Sequence, residues 1–452
     1  MSQQQLSLPK DTDFGQQQAE SANIALHFEA VALSLYMIRD AFGGVFRYYT
    51  SIFHVEALWF VPDALAVPCI IQFIMHCIVR NRSMIAGLVL FQITFSLALG
   101  YVFLDSFSAL ASSFKMMLPV FVGFCFCDAK IGNYRKLLAI VSVTFYLSVF
   151  GVFLTYYKTM PWVGFKYEAF GAVREAGRLW WAAAEQRLTG FAAESTMAAF
   201  FILVSFVLTS VRKSLLWCVV MGSISIYAIK LTTSKTTMLV LMIYLIMLVV
   251  VRLLPEQSRF QFVRKLALWS FATILLPIFL IVFVSGASVG KGSLLFSLMD
   301  RIDNSWQYPF IYLSQLMPIG LITGCGIGCF NYPMQIFSNL RGFWVPVDNF
   351  YIGTYLMFGM PFVAFMWMVF RSAFLVTDIY KLSLIFVVNM FTITVLCYGP
   401  ACGLLVISIC FCEVFSKRAS QVLQGGGQRP DRSRWGEMAP GTVPPLRGEM
   451  AQ

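Results

Sequence analysis

The chain has 452 residues, of which 59% are hydrophobic and only 12% charged, with a mean hydropathy of +0.75. A water-soluble domain carries roughly a quarter charged residues, so that class is excluded. The net charge of +11 sits mostly in short loops between apolar runs, which points to a membrane surface and away from nucleic acid.

Residues 1–22 are polar and Gln-rich (Gln3 to Gln5, Gln16 to Gln18) and lack a basic leader, so no cleavable signal peptide is expected. Apolar runs then fall near 23–38, 61–79, 84–104, 107–126, 137–157, 191–211, 214–232, 236–253, 267–287, 349–370, 382–397 and 400–416. They predict an all-α, polytopic transmembrane helical bundle of about twelve spans over 23–418.

Lys and Arg collect in alternate loops: Arg80 and Arg82, then Lys130, Arg135 and Lys136, then Arg212 and Lys213. Arg252 to Lys265, Arg371 with Lys381, and Lys417 with Arg418 follow the same alternation. The positive-inside rule then places both termini in the cytoplasm and two long segments, about 158–190 and 288–348, on the periplasmic side. Arg39 and Arg47 fall on the opposite side from the other loop cations. The stretch 419–452, rich in Gly, Pro and Arg, is expected to be a disordered cytoplasmic tail. Most of the eleven cysteines lie in apolar runs as small core or lipid-facing residues; Cys325 and Cys329, in an external loop, are the exception and could pair, although the favoured reading leaves them unpaired.

Charged groups stand at the outer mouths of several spans. In "EQRLTGFAAES" (Glu185 to Ser195) a span is expected to begin at Thr189 or Gly190, which puts Glu194 in its first turn and Arg187 just before it. Helix-start amides with an arginine make a site for an anionic oxygen. The plainer alternative is that Glu194 caps the helix while Arg187 meets lipid headgroups. Lys235, in "LTTSKTT", faces the same side. Trp162, Trp180 and Trp181 are interfacial anchors or a stacking surface for sugar rings. Asp348 and Asn349 open a later span, as a helix cap or as part of a site. Lys115 is the clearest ionisable group inside a span, the feature a transporter would need. The three histidines, His27, His54 and His76, all lie early, and no metal motif or Walker A sequence is present, so neither a metal nor a cofactor is expected.

"RLTGFAAES", "TTSKTT", "DRIDNSW" (Asp300 to Trp306), "PIGLITGCGIG" (Pro318 to Gly328) and "DNFYIGTYLMFG" (Asp348 to Gly359), in that order, resemble the bacterial O-antigen polymerase and O-antigen ligase superfamily. The resemblance covers roughly residues 160–370. It implies an inner-membrane glycosyltransferase that moves a glycan from undecaprenyl pyrophosphate to the next lipid-linked repeat on the periplasmic side. Asp348 stands where the ligase pattern has a histidine, nine residues and Asn349 before Gly359, which favours polymerase over ligase. The polymerase Arg-x10-Gly pattern is not matched, because Arg178 precedes Gly190 by twelve positions.

The resemblance assigns Arg187 and Arg301 to the pyrophosphate, with Lys235 assisting, and Asp348 as the base, with Glu194 second. Trp306, Asn349 and Tyr351 hold sugar, with Arg178 and Trp181 also in substrate binding. Membrane lipid is a further partner, and chain-length regulators and export proteins are the implied protein partners. A ligase-type transferase and a transporter or flippase of lipid-linked sugars are the competing readings.

Overall fold

The computed structural model describes residues 27–169, 172–182, 185–286, 296–399 and 401–424. The expected polar N-terminus (1–22) lies outside these, as does the expected tail beyond Gln424. The described chain is mostly helical. Its helices are α1 (His27–Ala41), α2 (Gly43–Ile52), α3 (Val61–Phe73, running on as a π-turn to Arg80), α4 (Met84–Leu104), α5 (Phe107–Phe124) and α6 (Arg135–Tyr157). After two short hairpins come α7 (Ser195–Ser210), α8 (Leu215–Leu231), α9 (Lys235–Leu253), α10 (Glu256–Trp269) and α11 (Leu276–Val284). The rest are α12 (Phe296–Asp300), α13 (Tyr308–Leu316), α14 (Gly320–Thr323), α15 (Tyr332–Phe337), α16 (Phe350–Phe358), α17 (Met360–Ala373), α18 (Ile379–Phe391), α19 (Ala401–Phe411) and α20 (Lys417–Gln424).

Six helical segments among the described residues are long and apolar enough to cross a membrane: Glu56–Arg80, Met84–Leu104, Phe107–Phe124, Arg135–Tyr157, Lys235–Leu253 and Glu256–Val284. Five shorter apolar helices accompany them. Helix α4 is apolar all round, yet Met84, Phe91 and Val102 are each at least 66% exposed. Apolar surface on that scale is stable only against lipid. Helix α7 is also apolar all round, but nearly every residue is buried, so it forms the centre of the bundle.

Several element boundaries differ from the sequence reading. The helix expected from Thr189 or Gly190 begins at Ser195, because Gly190 turns through a positive φ of 58° and Phe191 to Glu194 stay non-helical. There Phe191 O accepts from Gly44 N at 2.9 Å. The expected span 349–370 is broken into α16 and α17 at Gly359, whose φ is 66°. The apolar run 267–287 belongs to a longer segment that begins at Glu256, bent by a 3₁₀ turn at Ser270–Leu275 ahead of Pro277. Lys381, expected at a loop edge, is fully buried in α18, where it donates to Phe126 O at 2.8 Å and pairs with Glu413.

The segment expected outside at 158–190 carries two antiparallel hairpins, β1 (Lys166–Ala169) with β2 (Ala172–Glu175) and β3 (Trp181–Ala182) with β4 (Glu185–Gln186). Trp162 is no interfacial anchor: it is buried beneath the hairpins and donates from Nε1 to Gly190 O at 2.9 Å.

The Gly324-Cys325-Gly326-Ile327-Gly328 loop is a buried plug. All three glycines have positive φ (78°, 91° and 100°), a conformation that favours glycine. A Cβ at Gly326 would overlap the backbone of Gly100 in α4, and one at Gly324 would overlap Met357 O in α16. Ile327 N donates to Ser96 O at 2.9 Å, and Cys325 and Cys329 are joined in a disulfide.

Candidate functional site

The candidate site has two parts: the hairpin segment with the start of α7, and the α12–α13 turn with the residue ahead of α16. Arg178 leaves the first hairpin with its N–H on Ala193 O at 2.8 Å, which sets it against the α7 start. Glu194 occupies the cap position of α7, where its backbone carbonyl accepts from Ala198 N at 3.0 Å but its side chain accepts no helix N–H. Its Oε1 instead faces Arg178 Nη1 at 3.7 Å, with both side chains about half exposed. Trp180 lies between two guanidinium groups: Arg178 and Arg187 each stand 4.4 Å from its ring centre. The Arg187 N–H donates to Trp180 O at 3.1 Å, which closes the small hairpin around the ring.

Arg187 Nε and Trp180 Nε1 are buried without a hydrogen-bond partner among the described residues. Burial lowers the Arg187 pKa first, and the positive charge of Arg301 lowers it further, so the two guanidinium groups share one electrostatic environment. Like charges held together with an unused donor favour an anion between them.

Arg301 heads the π-turn Arg301–Gln307. Its Nη1 lies 2.9 Å from Asp348 Oδ2 and 3.1 Å from Thr394 O. Trp306, 1% exposed, donates from Nε1 to Asp348 Oδ1 at 2.8 Å. Asp348 therefore has an orienting donor on each oxygen. Burial raises its carboxyl pKa above the ordinary value, while Arg301 and Trp306 pull it back. Such a carboxylate is oriented and more basic than a free aspartate.

The structure forms two groups, Arg178, Arg187 and Glu194 around Trp180, and Arg301, Trp306 and Asp348, with Arg187 within electrostatic range of Arg301. The remaining sequence candidates are placed differently. Asn349 is fully buried; it caps α16 by accepting from Ile352 N at 2.9 Å and donates to Ile393 O at 2.8 Å. Tyr351 is buried and donates to Asn389 Oδ1 at 2.9 Å. Lys235 is the exposed first residue of α9 and makes no ion pair among the described residues. Leu188 N reaches Leu231 O at 3.4 Å, so the end of α8, just ahead of Lys235, lies beside the hairpin segment. Trp181 is 63% exposed, on the outside of its hairpin.

Trp180, which the sequence named with Trp162 and Trp181 but did not assign to substrate binding, is the tryptophan that both arginines contact. The available signal was its place between Arg178 and Arg187 in a segment with two basic flanks. No group of three or more metal-binding side chains occurs among the described residues. Comparison with known proteins finds no matching family model, no matching curated protein and no matching solved structure.

Proposed function

We propose that this chain is a polysaccharide polymerase of the O-antigen polymerase and ligase type. It acts in the bacterial inner membrane with about twelve spans and cytoplasmic termini. The donor is a growing glycan on undecaprenyl pyrophosphate, and the acceptor is a hydroxyl of the next lipid-linked repeat. The observation that carries this reading is the oriented carboxylate of Asp348, held by Arg301 and Trp306, together with the arginine pair Arg178 and Arg187 around Trp180. The disulfide between Cys325 and Cys329 supports an oxidising compartment on that side.

In this reading the anomeric C–O bond to pyrophosphate breaks and the leaving group keeps the electron pair. The acceptor oxygen bonds to the anomeric carbon, and its proton passes to Asp348. Arg187 and Arg301 stabilise the negative charge that builds on the departing oxygen. Trp306 and Arg301 hold the base, and Trp180 holds Arg178 and Arg187 in place.

A transporter or flippase is the second reading, favoured by the ionisable cluster Arg39, Asp40, Asp63 and Lys115 within α1, α3 and α5. The experiment is polymer formation by Arg187→Ala and Arg301→Ala variants that still insert at wild-type levels. The polymerase reading expects loss of long chains in both. Wild-type chain lengths in both would refute the arginine assignment.

A further inference from the structure

Arg39 and Arg47 stand on the opposite side from the cations of the short basic loops, and the site above uses neither. Arg39 is buried and neutralised: its Nε lies 2.7 Å from Asp40 and its Nη1 lies 3.1 Å from Asp63. Asp63 also accepts from Tyr36 at 3.0 Å and faces Lys115 at 3.7 Å, while Asp40 accepts from Cys402 N at 2.8 Å. Arg47 sits on the Trp59 ring at 3.4 Å, with Arg39 also 4.9 Å from that ring. Arg47 also lies 5.1 Å from the Tyr167 ring, Tyr167 pairs with Arg174 across the β1–β2 ladder, and Arg174 stacks on Tyr332 at 4.3 Å.

Arg39 takes both nearby carboxylates, Asp40 and Asp63, and Asp63 also faces Lys115. Neither Arg47 nor Arg174 forms an ion pair among the described residues. Arg174 Nε and Nη2 and Tyr332 Oη are buried without hydrogen-bond partners. Buried donors without acceptors are costly, and an anion would satisfy them.

An apolar groove adjoins this cluster. It is open, has a volume of about 310 Å³, and is lined by Phe42, Phe46, Tyr49, Phe53, Val55 and Leu58. Phe46 joins the two features: it lines the groove and its ring lies 5.9 Å from the Trp59 ring that carries Arg47. A basic aromatic pocket beside an apolar groove has the chemistry of a lipid with a phosphate head and a long hydrocarbon tail.

We propose that Arg47 and Arg174 bind the phosphate head of a second lipid, whose tail lies in the Phe42–Leu58 groove. This rests on the polymerase reading for the lipid's role, which is to present the acceptor repeat. The hairpin segment ties the two sites together: Arg174 serves the second and Arg178, four residues on, serves the first. Their Cα atoms are at most about 14 Å apart, because an extended chain advances no more than about 3.6 Å per residue. Two lipid heads under one hairpin place donor and acceptor within a sugar repeat's reach.

The test is native mass spectrometry of the full chain in detergent, with undecaprenyl pyrophosphate, phosphatidylglycerol and inorganic pyrophosphate as separate probes. The wild type is expected to hold two undecaprenyl pyrophosphates. Arg47→Ala with Arg174→Ala is expected to hold one, with the second weakened roughly tenfold or more. Arg47→Lys with Arg174→Lys, which keeps the charge, should recover most of the second. Competition by inorganic pyrophosphate would support recognition of the head. Equal filling of the site by phosphatidylglycerol would overturn the acceptor assignment in favour of a general headgroup anchor. A single bound lipid in the wild type, or two in the Arg47→Ala and Arg174→Ala variant, would overturn the site. If two lipids bind as expected but a strain lacking the protein still makes polymer, the polymerase reading fails and the second lipid site stands.

Discussion

Removing the Arg301 side chain tests how the site divides its charge. The Arg301 and Asp348 side chains are 34% and 28% exposed, so their 2.9 Å pair is partly screened. Its loss should destabilise the protein by about 1 kcal/mol rather than the roughly 3–5 kcal/mol of a fully buried pair. The effect on turnover should be larger, because the proposed reaction assigns the same guanidinium to the leaving pyrophosphate. Losing one such donor slows a reaction by about 10²–10³-fold.

The pH profile carries the sharper signature. Arg301 lowers the Asp348 pKa against the upward push of burial, so Arg301→Ala lets that pKa rise further. Asp348 works as a base only when deprotonated, and activity falls as pH drops through its pKa. The acid limb of the profile should therefore move to higher pH in Arg301→Ala. Arg301→Lys, which keeps the charge without the fork, should leave the limb closer to wild type. The assay is polymer formation from purified lipid-linked repeats across pH, with thermal unfolding measured in parallel. An unmoved limb, or one displaced to lower pH, would refute Asp348 as the base under Arg301's control.

Asp348→Asn should lose more activity than Glu194→Gln, since Asp348 is oriented on both oxygens while Glu194 has one long contact; the opposite order in the same assay would move the base to Glu194. Trp180→Ala should reduce turnover by roughly tenfold, as two cation–π contacts of about 0.5–1 kcal/mol each are lost, whereas Trp181→Ala should change little. Gly326→Ala should destabilise the protein by several kcal/mol, because its Cβ would overlap the α4 backbone at a positive φ, while Gly342→Ala, with open space around it, should leave the melting temperature unchanged. A cysteine at Val173, which is 72% exposed, should react with a membrane-impermeant thiol reagent added from the periplasmic side; reaction only after the inner membrane is permeabilised would reverse the topology.

The sequence made the helices legible because apolar runs of this length have few other uses. It could not distinguish α4 from α7, both apolar all round, one facing outward and one at the centre of the bundle. It marked the charges at helix mouths, of which Arg301 and Asp348 form an ion pair while Glu194 pairs with Arg178. It could not say that Asn349 and Tyr351 would turn inward, since a cap and a sugar contact use the same residue types. The hairpins escaped because strands of two to four mixed-charge residues carry no readable alternation, and with them went the choice of Trp180 over Trp181. The clearest local signal was an exception: Arg39 and Arg47 violate the charge asymmetry because they belong to a buried cluster, not to a cytoplasmic loop.

The most direct measurement is the lipid-linked sugars of a strain lacking this protein, extracted and sized by mass spectrometry. A polymerase predicts single repeats accumulating on the lipid carrier at the periplasmic face, with no long chains. Long chains left on the carrier, or single repeats held on the cytoplasmic leaflet, would contradict it in favour of a ligase or a flippase respectively.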